Sequence, residues 1–172
     1  MQLNPYGVDG VTMAQDLADR PPATEAELRQ LCNDHGLIRE RPITTNDLAM
    51  VDRAIAEWLA VVDAPDFDER SRRVNAMTAA YCSFPTLTDH ARTGWHLHYR
   101  PDKISVGQQV GAMMAAGTAL HLAGRGISRL GRCEVTDCDR VYVDLTRNGR
   151  QRYCSPACAN RDAVRRHRAR QR

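Results

Sequence analysis

Apolar residues recur with the 3.6-residue period of an α-helix over most of the first 126 residues. The clearest case begins near Thr45 and ends before Pro65. Its apolar face consists of Leu48, Val51, Ile55, Trp58, Leu59 and Val62. A stripe of this width is typical of a helix that buries one side against a core.

Four other helices are predicted from the same period. They run from Val11 to Arg20, from Thr24 to His35, from Phe67 to Cys82, and from Ser105 to about Gly124 or Gly126. Thr24 and Ser105 are each followed three residues later by Glu or Gln, the spacing of a capping box that begins a helix. The last helix is apolar around most of its surface and is therefore the predicted centre of the core.

Residues 86–100 alternate in the period of a β-strand on either side of Gly94, which predicts a β-hairpin. The face expected to point to the core carries Trp95, Leu97 and Tyr99. The opposite face would bring together the imidazoles of His90, His96 and His98. Such a group could hold a metal ion or an anion, and the alternative is an ordinary polar strand face.

The charge is unevenly distributed along the chain. The 172 residues carry a formal net charge of +3. Residues 125–172 contain 13 basic and 5 acidic side chains, whereas residues 1–124 contain 11 and 16. A positive C-terminal third favours a polyanionic partner. No run reaches the roughly 18 apolar residues of a membrane helix, and no export signal is evident, so we expect a cytoplasmic protein with no membrane partner.

Four of the six cysteines lie in that basic segment, as two close pairs. They are Cys133, Cys138, Cys154 and Cys158. Two pairs separated by a hairpin-sized insert are what one tetrahedral Zn2+ ion requires. Disulfides or free thiols are the alternative. Cys32 and Cys82 stand apart from other ligand types and are expected to be small buried hydrophobes.

The sequence between and after the cysteine pairs predicts a treble-clef-like zinc finger. Residues 140–144 alternate as a strand, Asn148-Gly149 favours a tight turn, and residues 150–153 are expected to return as the second strand. Ser155 and Pro156 then begin a helix that holds the last ligand. Overall we predict a mainly α-helical protein with small β-hairpins. Its domains would be a helical one at 1–126, with a hairpin at 86–100, and a zinc finger with a basic C-terminal helix at 127–172.

The cysteine spacing, the run Asp144-Leu-Thr-Arg-Asn-Gly149, and the segment Cys158-Ala-Asn-Arg161 followed by arginines resemble the CGNR zinc-finger proteins of bacteria. Ala159 stands where the namesake motif has glycine. The resemblance implies a helical N-terminal domain similar to stress-induced transcription regulators. It also implies that the chain binds DNA.

The predicted basic helix places several arginines along one stripe, and others lie on the predicted finger hairpin. The candidate nucleic-acid contacts are Arg147, Arg150, Arg152, Arg161, Arg165, Arg166 and Arg168. Guanidinium groups bind phosphates and can also bind guanine in the major groove. We therefore expect a zinc-dependent protein that binds duplex DNA and acts in transcription regulation, with a homodimer or an auxiliary protein completing specificity.

Two other function classes remain open from the sequence. The first is a zinc-stapled adaptor that binds RNA or protein, with the arginines as a solvated surface. The second is a treble-clef nuclease, which needs a histidine on the finger hairpin, and residues 141–153 contain none. We therefore expect no enzymatic activity.

Overall fold

A computed structural model of the protein describes residues 7–39, 41–89 and 95–171. Within them the helices are α1 Val8–Asp19, α2 Glu25–Asp34, α3 Thr45–Val62, α4 Phe67–Tyr81, α5 Val106–Arg125 and α6 Pro156–Arg170. The strands are β1 Thr86–Thr88, β2 His96–His98, β3 Leu130–Arg132 and β4 Val141–Val143. They pair as two antiparallel hairpins, β1 with β2 and β3 with β4. The predicted fold class is confirmed.

Helix α5 is the centre of the fold, as its sequence predicts. It is buried on nearly every side between Val106 and Thr118, and α1, α3 and α4 pack around it. Helix α1 crosses it so closely that a Cβ on Gly117 would lie 2.5 Å from the Cα of Gly10. The hydroxyl of Thr118 accepts a hydrogen bond from the indole of Trp58 (2.8 Å), which satisfies the polar group of the largest core side chain.

The predicted cap residues Thr24 and Ser105 begin their helices, with a full capping box at Thr24 and a serine cap at Ser105. Thr24 Oγ1 accepts a hydrogen bond from the Glu27 amide (3.2 Å), and the Glu27 carboxylate accepts one from the Thr24 amide (3.3 Å). Ser105 Oγ accepts from the Gln108 amide (3.2 Å) at the start of α5. These bonds satisfy amides that have no partner inside the helix. The sequence period and the caps therefore locate α2 and α5.

The face of the β1–β2 hairpin is the reverse of the prediction. His96 and His98 are buried, whereas Trp95 and Leu97 are 71% and 43% exposed and Tyr99 is half-buried. Alternation fixes which residues share a face but not which face turns inward. The inward imidazoles contact each other, with their Nε2 atoms 3.1 Å apart, so each of these buried nitrogens has a hydrogen-bonding partner. His90 lies outside the described residues.

The finger hairpin also has a different partner strand from the one predicted. β4 pairs with β3, in the register Leu130 opposite Val143 and Arg132 opposite Val141. The first cysteine pair therefore lies in the loop of this hairpin. Residues 150–153 form no strand, although the amide of Glu134 bonds to the carbonyl of Arg152 (3.0 Å). The signal for the Asn148-Gly149 turn is local and correct, but pairing depends on distant residues.

The finger hairpin shares its interior with the helices. Leu130, Val141 and Val143 belong to the same buried cluster as the apolar residues of α1 and α3. The side-chain amide of Gln15 donates to the Val141 carbonyl (3.2 Å), which fixes β4 against α1. The division into domains at residues 126 and 127 stays a prediction. No helix among the described residues is long and apolar enough to cross a membrane.

Candidate metal centre

The four predicted cysteines come together at one point. Their sulfur atoms all lie within 4.8 Å of one another. Three of the edges are Cys138 to Cys154 at 3.7 Å, Cys154 to Cys158 at 3.6 Å, and Cys158 to Cys138 at 3.8 Å. Four sulfurs at about 2.3 Å from a tetrahedral Zn2+ ion would be about 3.8 Å apart. The cluster therefore has the donor type and the size that zinc requires.

Backbone hydrogen bonds place the first two sulfurs. The amide of Cys133, directly after β3, donates to the Arg140 carbonyl (2.9 Å), and the amide of Cys138 donates to the Val135 carbonyl (3.0 Å). Val135 is only 4% exposed, so the turn between the two cysteines is anchored by its own apolar side chain. These contacts hold both thiols on the inner side of one tight turn.

The start of α6 places the other two sulfurs. Ser155 caps the helix by accepting a hydrogen bond from the amide of Cys158 (3.2 Å), and Pro156 occupies the first helical position. Cys154 precedes the cap and Cys158 lies in the first turn, so a single helix start presents both thiols to the cluster. This is the predicted arrangement.

The proton affinities within the cluster differ. Burial, together with contacts to Cys158 and Cys138, raises the pKa of Cys154 to about 12. A hydrogen bond with Ser155, with a smaller contribution from Cys154, lowers the pKa of Cys158 to about 7. Four crowded sulfurs cannot all be thiolates without a cation, because like charges repel. Metal binding must therefore release protons, and acid must weaken it.

Asp162, on the first turns of α6, organises the basic residues next to the cluster. Its carboxylate is almost fully buried, accepts hydrogen bonds from the Tyr153 hydroxyl (2.7 Å) and from Arg165 (2.7 Å), and forms an ion pair with Arg166 (2.9 Å). The hydrogen bond from Tyr153, followed by that from Arg165, lowers the pKa of Asp162. The sequence analysis missed this carboxylate, because a single acid in a basic run gives no signal of burial.

Asp144, directly after β4, is a second buried carboxylate that accepts several hydrogen bonds. It is 2% exposed and accepts hydrogen bonds from the amides of Thr146 (2.8 Å) and Gln151 (3.2 Å) and from Arg129 (3.2 Å). Burial alone would raise its pKa, but the bonds from Thr146 and Gln151 and the charge of Arg129 outweigh burial and lower it. Asp144 thus fixes the loop that leads from β4 to the second cysteine pair.

The predicted nucleic-acid contacts fall into two groups. Arg152 pairs with Glu134, Arg161 with Asp137, and Arg165 and Arg166 with Asp162. Arg165 also donates to Thr136 in the first cysteine turn (2.7 Å). Within the described part of the chain, no side-chain bond or ion pair is found for the second group, which consists of Arg147, Arg150 and Arg168. All seven side chains are exposed.

The two remaining cysteines lie apart from the cluster, as predicted. Burial raises the pKa of Cys32 and of Cys82 to about 11 in each case. Among residues 7–39, 41–89 and 95–171, the four finger cysteines are the one group of three or more metal-ligand side chains that could hold an ion. Cys32 and Cys82 are thus apolar packing residues.

The cluster and its surroundings define a zinc-binding protein with a C-terminal zinc finger. Residues 129–171 match the family model described as the CGNR zinc finger. That segment of the chain is therefore similar to the CGNR zinc finger, as the motifs predict. A comparison with curated proteins gave no match. The likeness of the N-terminal helices to stress-induced regulators stays a prediction.

Proposed function

We propose that the protein binds duplex DNA through α6 and the preceding loop, and that it acts in transcription regulation. One observation carries this proposal. Every residue of α6 from Ala163 to Arg170 is exposed, on all sides of the helix, while the first turn is fixed by the cysteine cluster. A helix with no buried face there gains nothing from packing on its own chain. It is free to enter a groove.

The charge of α6 suits a phosphate-rich partner. The exposed part carries Arg165, Arg166, Arg168 and Arg170, and no acidic side chain follows Asp162 in the sequence. Exposed ion pairs such as that of Arg161 with Asp137 are worth about 0–1 kcal/mol, so a phosphate can replace the carboxylate at little cost. Arg168 has no ion pair among the described residues and needs no such exchange. We therefore expect Arg168, with Arg147 and Arg150 on the loop, to contribute most to affinity.

The shape of α6 also suits base contact. Its 15 residues span about 22 Å at 1.5 Å per residue, and a helix of this width fits the major groove of DNA. Val164 is 49% exposed and lies on the same face of α6 as Arg161, Arg165 and Arg168. An apolar side chain among arginines can contact the methyl group of thymine while the guanidinium groups bind guanine or phosphate.

The experiment measures the salt dependence of binding to a fluorescent random-sequence duplex. Replacing Arg168 by Ala should weaken binding and reduce the slope of log K against log salt by about one unit. Arg53, an exposed arginine on α3, provides the matched control. Arg53→Ala removes the same charge and should leave the slope unchanged. Equal slopes for wild type and Arg168→Ala would rule out this contact.

Two further experiments on the wild-type protein test the other function classes. Selection of bound fragments from random duplexes, with a single-stranded RNA pool as competitor, should enrich a DNA motif. Preferred retention of RNA would instead support the adaptor function. We propose that the protein is not an enzyme, and nicking of plasmid by the zinc-loaded chain with magnesium would contradict this. A small module seldom binds specifically alone, so selection of a two-part motif would indicate a homodimer or an auxiliary protein.

A further inference from the structure

The imidazoles of His96 and His98 form a buried pair far from the cysteine positions in sequence. Their Nε2 atoms are 3.1 Å apart, and their ring centres are 4.9 Å apart at an interplanar angle of 61°. The two side chains are 6% and 8% exposed. Neither the zinc finger nor the arginine surface uses these two residues, so DNA binding gives them no role.

The strand geometry fixes this approach. Residues two apart on a strand project to the same face, so His96 and His98 point inward together while Leu97 points outward. The hairpin register places Thr88 opposite His96 and Thr86 opposite His98. The positions of the partner strand directly opposite the two histidines are therefore both threonines.

We propose that His96 and His98 bind one divalent transition-metal ion, Zn2+, Ni2+ or Cu2+, through their Nε2 atoms. Two nitrogens at 2.0–2.1 Å from one ion are about 3.3 Å apart in a tetrahedral site and about 2.9 Å apart at a right angle. The observed 3.1 Å lies between these values. Imidazole is a preferred ligand of these three ions.

This site differs in chemistry from the cysteine cluster. Four thiolates enclose a structural zinc ion completely, whereas two imidazoles leave positions open and bind an exchangeable ion. The simpler account is that one Nε2 carries a proton and donates it to the other. That hydrogen bond explains the distance equally well, but it predicts that the protein binds no ion beyond the one held by the cysteines.

The test uses the full-length, untagged protein with zinc already in the cysteine cluster. Equilibrium dialysis against Ni2+, with elemental analysis, should give one nickel per chain while the zinc remains. Separate His96→Gln and His98→Gln variants should each raise the nickel Kd at least tenfold. His167, an exposed histidine on α6, is the control, and His167→Gln should leave the Kd unchanged.

A measurement on the wild-type protein guards against variants that fail to fold. Paramagnetic Ni2+ should broaden the imidazole NMR signals of His96 and His98 before those of His35, His121 and His167. The proposal is overturned if the wild type binds no nickel beyond its zinc. It is equally overturned if the nickel broadens other histidines first, or if its Kd is insensitive to both glutamine variants.

Discussion

Arg132 and Asp63 meet through two parallel hydrogen bonds, Nε to Oδ1 at 2.8 Å and Nη2 to Oδ2 at 2.7 Å. Asp63 ends α3, and Arg132 precedes the first zinc ligand, Cys133. The hydrogen bond from Arg132 lowers the pKa of Asp63, and the same bond raises the pKa of Arg132. This pair therefore joins the helical part of the chain directly to the metal centre.

A second pair between the same two parts should contribute more to stability. Arg140 contacts Asp19 at 2.8 Å, and the Asp19 side chain is 4% exposed, compared with 46% for Asp63. Arg132→Ala should cost about 0.2–1 kcal/mol, because both members of its pair are half-exposed. Arg140→Ala leaves a buried carboxylate with little compensation and should cost about 1–3 kcal/mol.

Urea unfolding of the two variants checks this order. The Arg140→Ala protein should recover part of its loss when Asp19 is also replaced by Ala, because no stranded charge remains. A larger loss for Arg132→Ala than for Arg140→Ala would contradict the burial argument.

Removal of zinc should destabilise the helices as well as the finger. Trp58, on α3, lies in the hydrophobic core of the protein. That core includes residues of β3 and β4, the two strands that flank the first cysteine pair. If the chain unfolds as one unit, free zinc at about 100 times its Kd raises the free energy of unfolding by about 2.7 kcal/mol. Chelation removes this contribution. For a chain of this size that corresponds to a fall in Tm of roughly 5–11 °C.

The measurement follows Trp58 fluorescence during heating, in a Trp95→Phe protein so that one indole reports. A Cys154→Ser variant should unfold at the lower temperature with or without chelator. An unchanged Trp58 transition after complete zinc removal would show that the helices fold independently of the finger.

Asp47, at the start of α3, should make stability depend on pH in the acid range. Its buried carboxylate accepts hydrogen bonds from the amides of Gly107 (2.7 Å) and Thr44 (2.8 Å). Burial would raise its pKa, but these bonds and that from the Thr44 hydroxyl outweigh burial and lower it. A carboxyl with a depressed pKa stabilises the fold above its unfolded value, about 3.9, and loses this contribution as the pH falls through the folded value.

Asp47→Asn turns an amide N–H toward groups that donate, and should cost about 1.5–3 kcal/mol at pH 7. The difference from wild type should shrink as the pH falls below about 4, measured by urea unfolding of both proteins under identical conditions. Asp52 is an exposed acid on the same helix, and Asp52→Asn is the control for the change in charge. A difference that stays constant with pH would disprove the assigned cause.

Replacing Gly149 by Ala tests how strongly the turn of the finger loop depends on glycine. Its φ is 68°, and a Cβ there would lie 2.6 Å from the guanidinium carbon of Arg129. Gly36 has nearly the same φ, 61°, and a Cβ there would have no neighbour within 4 Å among the described residues. Gly36→Ala should therefore show the backbone cost alone, about 1–2 kcal/mol.

Gly149→Ala should cost more than Gly36→Ala, because the methyl group also displaces Arg129 from Asp144. Urea unfolding of the two alanine variants measures the difference. Equal losses would mean that Arg129 moves aside freely and does not hold the loop.

Local signals in the sequence predict the helices and the metal ligands well. The cap residues Thr24 and Ser105 and the spacing of the cysteines depend on neighbours within a few residues, and the structure confirms them, with the full capping box at Thr24 and a serine cap at Ser105. The partner of β4 and the inward face of the β1–β2 hairpin depend on distant residues, and both predictions were wrong. The buried roles of Asp144 and Asp162 were missed for the same reason, since their partners converge only in the folded chain.

Strands β3 and β4 share a hydrophobic core with the helices, so the finger is poorly suited to being grafted alone onto another protein. In a peptide beginning at residue 127, the side chains of Leu130, Val141 and Val143 would be exposed to water, because the helices that cover them would be absent. A different carrier would have to offer apolar side chains that cover these three residues, and an acid in the position of Asp19 would stabilise the contact further. A chimera that keeps the helices and the finger together therefore retains the apolar contacts that a chimera with the finger alone would lose.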